Sequence, residues 1–340
     1  MSTRTLAVLA LLAALALAGV WLTREPPPDA GREARAGEPF LPGLEARVNE
    51  VSGLRVRAAG GDLLAQVARR DGTWRVANRA GYPADTTTLR GTLIGLARAR
   101  RLEPKTDRPQ GHARLGVAPI EQAQGKAIEV ALEGLERPAA VLIGKPSTGD
   151  VGGTYVRRVG AARAWLVSGE LERHERVGDW LDDRLVDIPA RAIRRVRIEA
   201  VDGAPVVVHH AEPGADGFEL QVPEGRRPLS SSIARSLARV VTDLRLDDVQ
   251  AAPEAAELPR LARARFETFS GLVLEIEAFA RSRAEDAHHH VRLRAGTTDA
   301  AGAEARERAG RLNARYRGWV YRLPGYKLVN ATQTLEGVLE

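Results

Sequence analysis

The chain has 340 residues, 44% of them apolar and 28% charged, enough for about two domains of ordinary size and for real hydrophobic cores. It contains no cysteine, which excludes disulfides, thiolate metal centres, cysteine nucleophiles and a lipobox. The formal charge of +6 comes from Arg interspersed with Glu and Asp rather than from a basic block, a solvated-surface pattern that gives no footprint for nucleic acid.

Residues 6–22 are an unbroken apolar run of 17 residues behind Arg4, at the short end of what spans a bilayer as a helix. Ala16-Leu17-Ala18 before Gly19 resembles a signal-peptidase site, so a cleaved signal peptide is the alternative. Val20, Trp21 and Leu22 carry the apolar character past that point, and Trp is a natural interfacial residue. We read residues 1–24 as an uncleaved signal anchor that tethers the chain to a membrane. Residues 25–43 follow with Pro26-Pro27-Pro28, then Gly, Ala and charges; this composition cannot bury a core and reads as a semi-rigid tether.

Beyond the tether the sequence reads as if written twice. Trp74, Leu89, Leu93, Leu96 and Leu102 recur as Phe218, Ile233, Leu237, Val240 and Leu246, a constant shift of 144. Ile128, Val130 and Leu132 return as Leu272, Leu274 and Ile276 at the same shift, and Trp165, Leu181 and Leu185 return as Trp319, Leu335 and Leu339 at a shift of 154. A shift that steps once and then holds predicts a tandem duplication with one insertion, copy one at 44–190 and copy two at 191–340.

Each copy opens with an alternating strand, Leu54 and Val56 between arginines in one, Val196 and Ile198 in the other. A second strand follows, at 63–67 or 205–209. Asp71-Gly72 and Asp216-Gly217 then mark hairpin turns leading to third strands carrying Trp74 and Phe218. Leu89, Leu93 and Leu96, and again Ile233, Leu237 and Val240, have helical spacing. Asp85-Thr86-Thr87-Thr88 and Ser230-Ser231-Ser232 stand where helix caps are expected. Further strands are predicted at 128–132, 140–143, 155–159 and 164–167 in copy one, and at 272–276, 290–293 and 319–321 in copy two. A short helix is expected at 180–185 in one and 332–339 in the other. The Ala, Glu and Arg of 281–311 read as an inserted surface helix. The predicted fold is therefore α+β: two tandem related units of mainly antiparallel sheet plus helices.

Candidate chemistry is sparse. His288-His289-His290 beside Glu285 and Asp286 is the most metal-like cluster, but consecutive strand residues point to opposite faces, so a polar hairpin tip is the reading. His209-His210, His112 and His174 lack partners at ligand spacing. The glycines of 149–153 near Lys145 and Ser147 have the wrong spacing for a phosphate loop and read as a hairpin loop. Asp179, Asp182 and Asp183 read as acidic capping of a helix start. Ser230, Ser231 and Ser232 have no base nearby. No catalytic residue, metal ligand or cofactor site emerges. Tyr155 and Arg157, two apart on one strand face, are the candidates for binding a partner protein.

From Tyr82-Pro83-Ala84-Asp85-Thr86-Thr87-Thr88 onward the chain resembles a bacterial envelope family catalogued as domain of unknown function 4340. Glu103-Pro104-Lys105-Thr106, Arg114-Leu115-Gly116-Val117, residues 153–158, Trp180-Leu181-Asp182 and residues 318–324 carry the resemblance, which covers 44–339. It implies a single-anchor or secreted envelope protein; with residues 1–24 as a single-pass anchor, the expected place is the bacterial inner membrane with the folded part in the periplasm or outside the cytoplasm, or a secreted form if the segment is cleaved. It also implies genes neighbouring ABC-type transporter components and gliding-motility-like auxiliary proteins. The function expected is a non-enzymatic, membrane-tethered accessory or scaffold protein for an envelope transport complex. The alternative is an extracytoplasmic module binding a glycan or lipid in a cleft between the copies; a hydrolase is the third reading.

Overall fold

The computed structural model describes residues 35–213, 217–252, 259–279 and 290–340. The apolar run, most of the tether, Asp216 and His288-His289 lie outside them. Among the described residues the fold is α+β, with mostly antiparallel sheet and six α-helices, none long and apolar enough to cross a membrane.

After the short α1 (Leu44–Arg47) come β1 (Gly53–Ala58), β2 (Leu63–Arg70), β3 (Thr73–Val76), β4 (Tyr82–Pro83), α2 (Thr86–Arg98), β5 (Arg101–Pro104) and α3 (Pro109–Leu115). A meander follows: β6 (Ile128–Glu133), β7 (Ala139–Pro146), β8 (Thr154–Arg158) and β9 (Ala164–Val167). The second half runs through β10 (Arg184–Val186), β11 (Ile193–Ala200), β12 (Val206–His210), β13 (Phe218–Leu220), α4 (Ile233–Ala238), β14 (Leu244–Arg245) and β15 (Asp248–Ala251). It ends with β16 (Arg260–Thr268), β17 (Leu272–Phe279), β18 (His290–Thr297), α5 (Ala303–Tyr316), β19 (Trp319–Arg322) and α6 (Gly325–Ala331).

Two compact units result, and neither is a contiguous stretch of chain. The first takes Arg90–Arg173 with the described residues up to Leu64; the second takes Ala65–Leu89 with the described residues from His174 onward.

In the first unit six strands pair in the order β1-β6-β7-β8-β9-β5. Register puts Leu54, Val56, Val130, Leu132, Val141, Ile143 and Val156 on one face, and all are buried. The opposite face carries Arg57, Glu129, Leu142, Arg157 and Ala164. Residues 115–127 lie over it, so that Val117, Ile120 and Ala127 pack with Leu142 and Ala164 into a second small core. Gly144 permits this approach: a Cβ there would stand 2.3 Å from the carbonyl oxygen of Leu115.

The second unit is built on the order β13-β12-β11-β16-β17-β18-β19-β15. Its core face carries Val196, Ile198, Ala264, Phe266, Leu274, Ile276, Val291 and Leu293. β18 meets β19 only at Val291 and Tyr321. Beyond that point the Asn313 amide from α5 takes over the ladder, accepting from the Ala295 N–H (2.9 Å) and donating to its carbonyl (2.7 Å).

Several local expectations are corrected. β16 was not anticipated, because its inward residues include Ala262 and Ala264, whose apolar signal is weak beside Arg260, Arg263 and Arg265. Residues 180–185 are not helical: a 3-10 turn at Val177–Trp180 gives way to extended chain, held by an Ala84–Leu181 bridge and by the Asp182 N–H donating to Pro83. At the C-terminus the helix is Gly325–Ala331, earlier than expected, and Leu339 bridges Pro228. Asp85 caps α2 by accepting from the Thr87 N–H (2.8 Å), but the serines make no side-chain cap on α4. The helix expected in 281–311 is α5, set against β17 and β18 with Ala305, Ala309 and Tyr316 buried.

Replacing Asn313 by Ala strips Ala295 of both partners, so the urea midpoint should fall by an amount equivalent to about 1–3 kcal/mol at unchanged slope.

Candidate functional site

One cleft of about 370 Å³ opens in the first unit. It is walled by Leu41, Pro42, Gly43, Leu44 and Arg47 around α1, by residues 135–139 at the β6–β7 turn, and by Arg158 of β8. Two glycines shape it. Gly43 takes a positive φ of 79° at the helix start, and Gly134 (φ 89°) presses the turn against residues 50–52, where a Cβ would stand 2.3 Å from the Ser52 hydroxyl. Leu41 and Leu44 are buried beneath the cleft, while Glu136 and Arg137 are exposed at its edge. Arg47 donates to Glu50 at 3.0 Å and stands 3.9 Å from Glu136. The cleft thus joins an apolar floor to a predominantly cationic rim.

Tyr155 and Arg157 do share one strand face, as expected, and residues 115–127 cover part of it. Arg157 is buried; its Nε donates to the Val117 carbonyl and its Nη1 to that of Ala161, both at 2.8 Å. Burial lowers its guanidinium pKa. Tyr155 is half-buried against the second small core, with the Lys105 ammonium 6.0 Å from its ring centre. The sequence missed the cover because residues 115–127 have no periodic pattern. His112 is buried nearby, one ring nitrogen 2.8 Å from the Ala162 carbonyl. Its pKa is lowered from 6.5, first by burial and then by the charge of Arg157.

The second unit holds the densest cluster of perturbed groups. Tyr82 sits edge-on to Trp319 (5.0 Å) and Tyr321 (6.3 Å), and Tyr316 edge-on to Tyr321 (6.3 Å). The Tyr82 hydroxyl donates to the Asp182 carbonyl (3.2 Å) and that of Tyr316 to the Leu185 carbonyl (3.1 Å). Arg315 closes the cluster with an ion pair to Asp182 at 2.9 Å. Burial raises all three phenols, Tyr82 to about 12. Of the three aspartates read as caps, only Asp179 caps, accepting from the Arg176 N–H; Asp182 pairs with Arg315, and Asp183 with Arg245 at 3.2 Å.

The remaining histidines are spread out. His210 is buried, stacked on Phe218 (4.4 Å) and bonded to Ile193; His290 is buried in β18; His174 meets Trp180. Among the described residues no three His, Asp or Glu side chains gather as a metal would require. Lys327, buried, donates to the carbonyls of Arg239 (2.8 Å) and Thr242 (2.6 Å), and burial lowers its pKa. His112, His210 and Lys327 thus make their hydrogen bonds to backbone carbonyls.

The described residues thus form an α+β fold with a cleft beside the first sheet. Residues 74–262, more than half of the chain, match the family described as Domain of unknown function (DUF4340), and the chain belongs to that family. No curated protein and no solved structure matches it.

The buried phenols give a signed pH dependence. A folded-state pKa above the ordinary 10.0 means that the stability they contribute is intact below pH 10 and is lost as pH rises through it toward 12. The stability advantage of the wild-type protein over Tyr82→Phe, read from urea midpoints, should therefore shrink above pH 10. His112 works oppositely: the wild type should lose stability relative to His112→Gln as pH falls below 6.5.

Proposed function

We propose that this is a non-enzymatic, membrane-tethered protein of the bacterial inner membrane, its folded part outside the cytoplasm, serving as an accessory or scaffold for an ABC-type transport complex. The observation that carries the scaffold reading is the second sheet's outer face. Cross-strand columns run Arg197-Arg265-Glu275-Arg294 and Glu199-Arg263-Glu277-Arg292. Ion pairs tie Arg263 to Glu277 (2.6 Å), and Arg265 to Glu275 and Glu267 (both 2.9 Å). A charge pattern fixed in this way presents a partner with a preset complementary surface, which favours specificity and rate of encounter. The family resemblance supports the envelope setting and the transporter partner.

We also propose a tandem duplication as the origin of the fold. It is supported by the two orders β1-β6-β7-β8-β9-β5 and β11-β16-β17-β18-β19-β15, and by a hairpin following the first strand in each half. On that matching β6 corresponds to β16, not to the β17 residues Leu272, Leu274 and Ile276 that the apolar pattern paired with it. The insertion in the second half is then α5.

A second reading, an extracytoplasmic module for a glycan or lipid, is favoured by the cleft inside the first unit. The sequence-based expectation had placed such a site between the copies.

In-cell crosslinking of the full, C-terminally tagged chain tests the scaffold reading. Recovery of transporter subunits with wild type, and their loss with Arg263→Glu/Arg292→Glu, is expected; recovery of the protein alone from both would overturn it.

A further inference from the structure

The cleft of the first unit has a definite chemistry. Arg47, Arg137 and Arg158 bring three guanidiniums to it, against two carboxylates, Glu136 in the lining and Glu50, which accepts from Arg47 at 3.0 Å. Guanidinium forks match phosphate oxygens in geometry and charge. Below them, Leu41 and Leu44 are buried, and Leu135, Pro42 and Pro138 complete an apolar wall. A volume of about 370 Å³ lies within the range of small-molecule sites and suits a headgroup rather than a whole two-chain lipid.

Its place in the chain says where such a ligand would be met. The first wall residue, Leu41, stands nineteen residues after the end of the apolar run at Leu22. In an extended Pro-rich conformation that stretch would span about 60 Å, and any shorter path brings the cleft nearer a bilayer surface. The tether would therefore keep the cleft within that distance of a bilayer surface and within reach of lipid headgroups.

We propose that this cleft takes the phosphate-bearing headgroup of an anionic phospholipid, the guanidiniums holding the phosphate while Leu41, Leu44 and Leu135 meet the adjoining apolar atoms. The assignment rests on the membrane-tethered reading above. The shared chemistry, a phosphate monoanion, could also be supplied by a free phosphate, which the test separates.

The full chain is reconstituted into vesicles containing phosphatidylglycerol with a photoreactive group beside its headgroup; the vesicles are floated, irradiated and digested, and labelled peptides are mapped. Labelling concentrated on residues 41–47 and 135–139 is expected. It should fall about fivefold for each arginine removed, in Arg137→Gln and in Arg47→Gln, while Arg306→Gln on the exposed side of α5 leaves it unchanged. Arg137 is exposed, so its variant should keep the wild-type unfolding midpoint. Inorganic phosphate should not compete; if it abolishes the labelling, the ligand is a free phosphate and the headgroup assignment fails. Labelling spread evenly over exposed arginines, or unmoved by the cleft variants, overturns the site itself. A chain that does not float overturns the tether instead. The cleft is then read on the released full chain with short-chain phosphatidylglycerol, where absence of labelling at 41–47 and 135–139 overturns the headgroup assignment.

Discussion

Burial of Tyr82 is the interaction on which the architecture turns. The residue belongs to the first half of the sequence, yet its ring is enclosed by Trp319 and Tyr321 and its hydroxyl is bonded to Asp182. Edge-on aromatic pairs add about 0.5–1.5 kcal/mol each beyond the area they bury. A second link of the same kind is the two-pronged pairing of Arg79 with Asp248. Together these hold residues 65–89 within the second compact unit, so the chain crosses between units after Leu64 and again after Leu89. Interleaving of that kind makes the folding of each unit depend on chain supplied from the other side of a crossing.

The two sheets solve the same problem differently. Each has one apolar face and one face rich in charge, as alternation demands. In the first, Leu142 and Ala164 interrupt the charge, and residues 115–127 cover them. Arg157 is caught beneath that cover, and it is satisfied because two backbone carbonyls stand within reach; an unpaired buried guanidinium would be costly. In the second, Glu275 and Glu277 keep the face polar, and Arg263 and Arg265 pair with them. Individually such exposed pairs contribute little stability. Their value lies in ordering the surface, and that order is what a docking partner would read.

The cleft and the charged face sit on elements of different kinds. The cleft depends on α1 and one tight turn, both set by glycines with left-handed backbone, whereas the charged face is fixed by strand register. The two proposals, ligand capture near a bilayer and partner docking on a sheet, are compatible because they use separate surfaces. The buried tyrosines, His112 and Lys327 are each bonded to main-chain oxygens, a role that rigidifies the packing around them.

By itself the sequence determined the fold class, most strands, the Asp85 cap and the family, because alternation, helical spacing and turn residues are local signals. The hairpin turn at Asp71-Gly72 is an example: both residues take positive φ, as the residue pair foretells. Tertiary structure alone decided the rest. Ala-centred β16 was invisible because small inward residues carry little periodic signal, and on the proposed duplication its absence displaces the match between the halves by one strand. Asp182 and Asp183 were drawn from capping into ion pairs by arginines 133 and 62 positions away, and Arg157 was buried by a segment with no pattern of its own. The cleft joins chain near residue 41 to chain near residues 137 and 158, a convergence set by pairing of distant strands that no local spacing encodes.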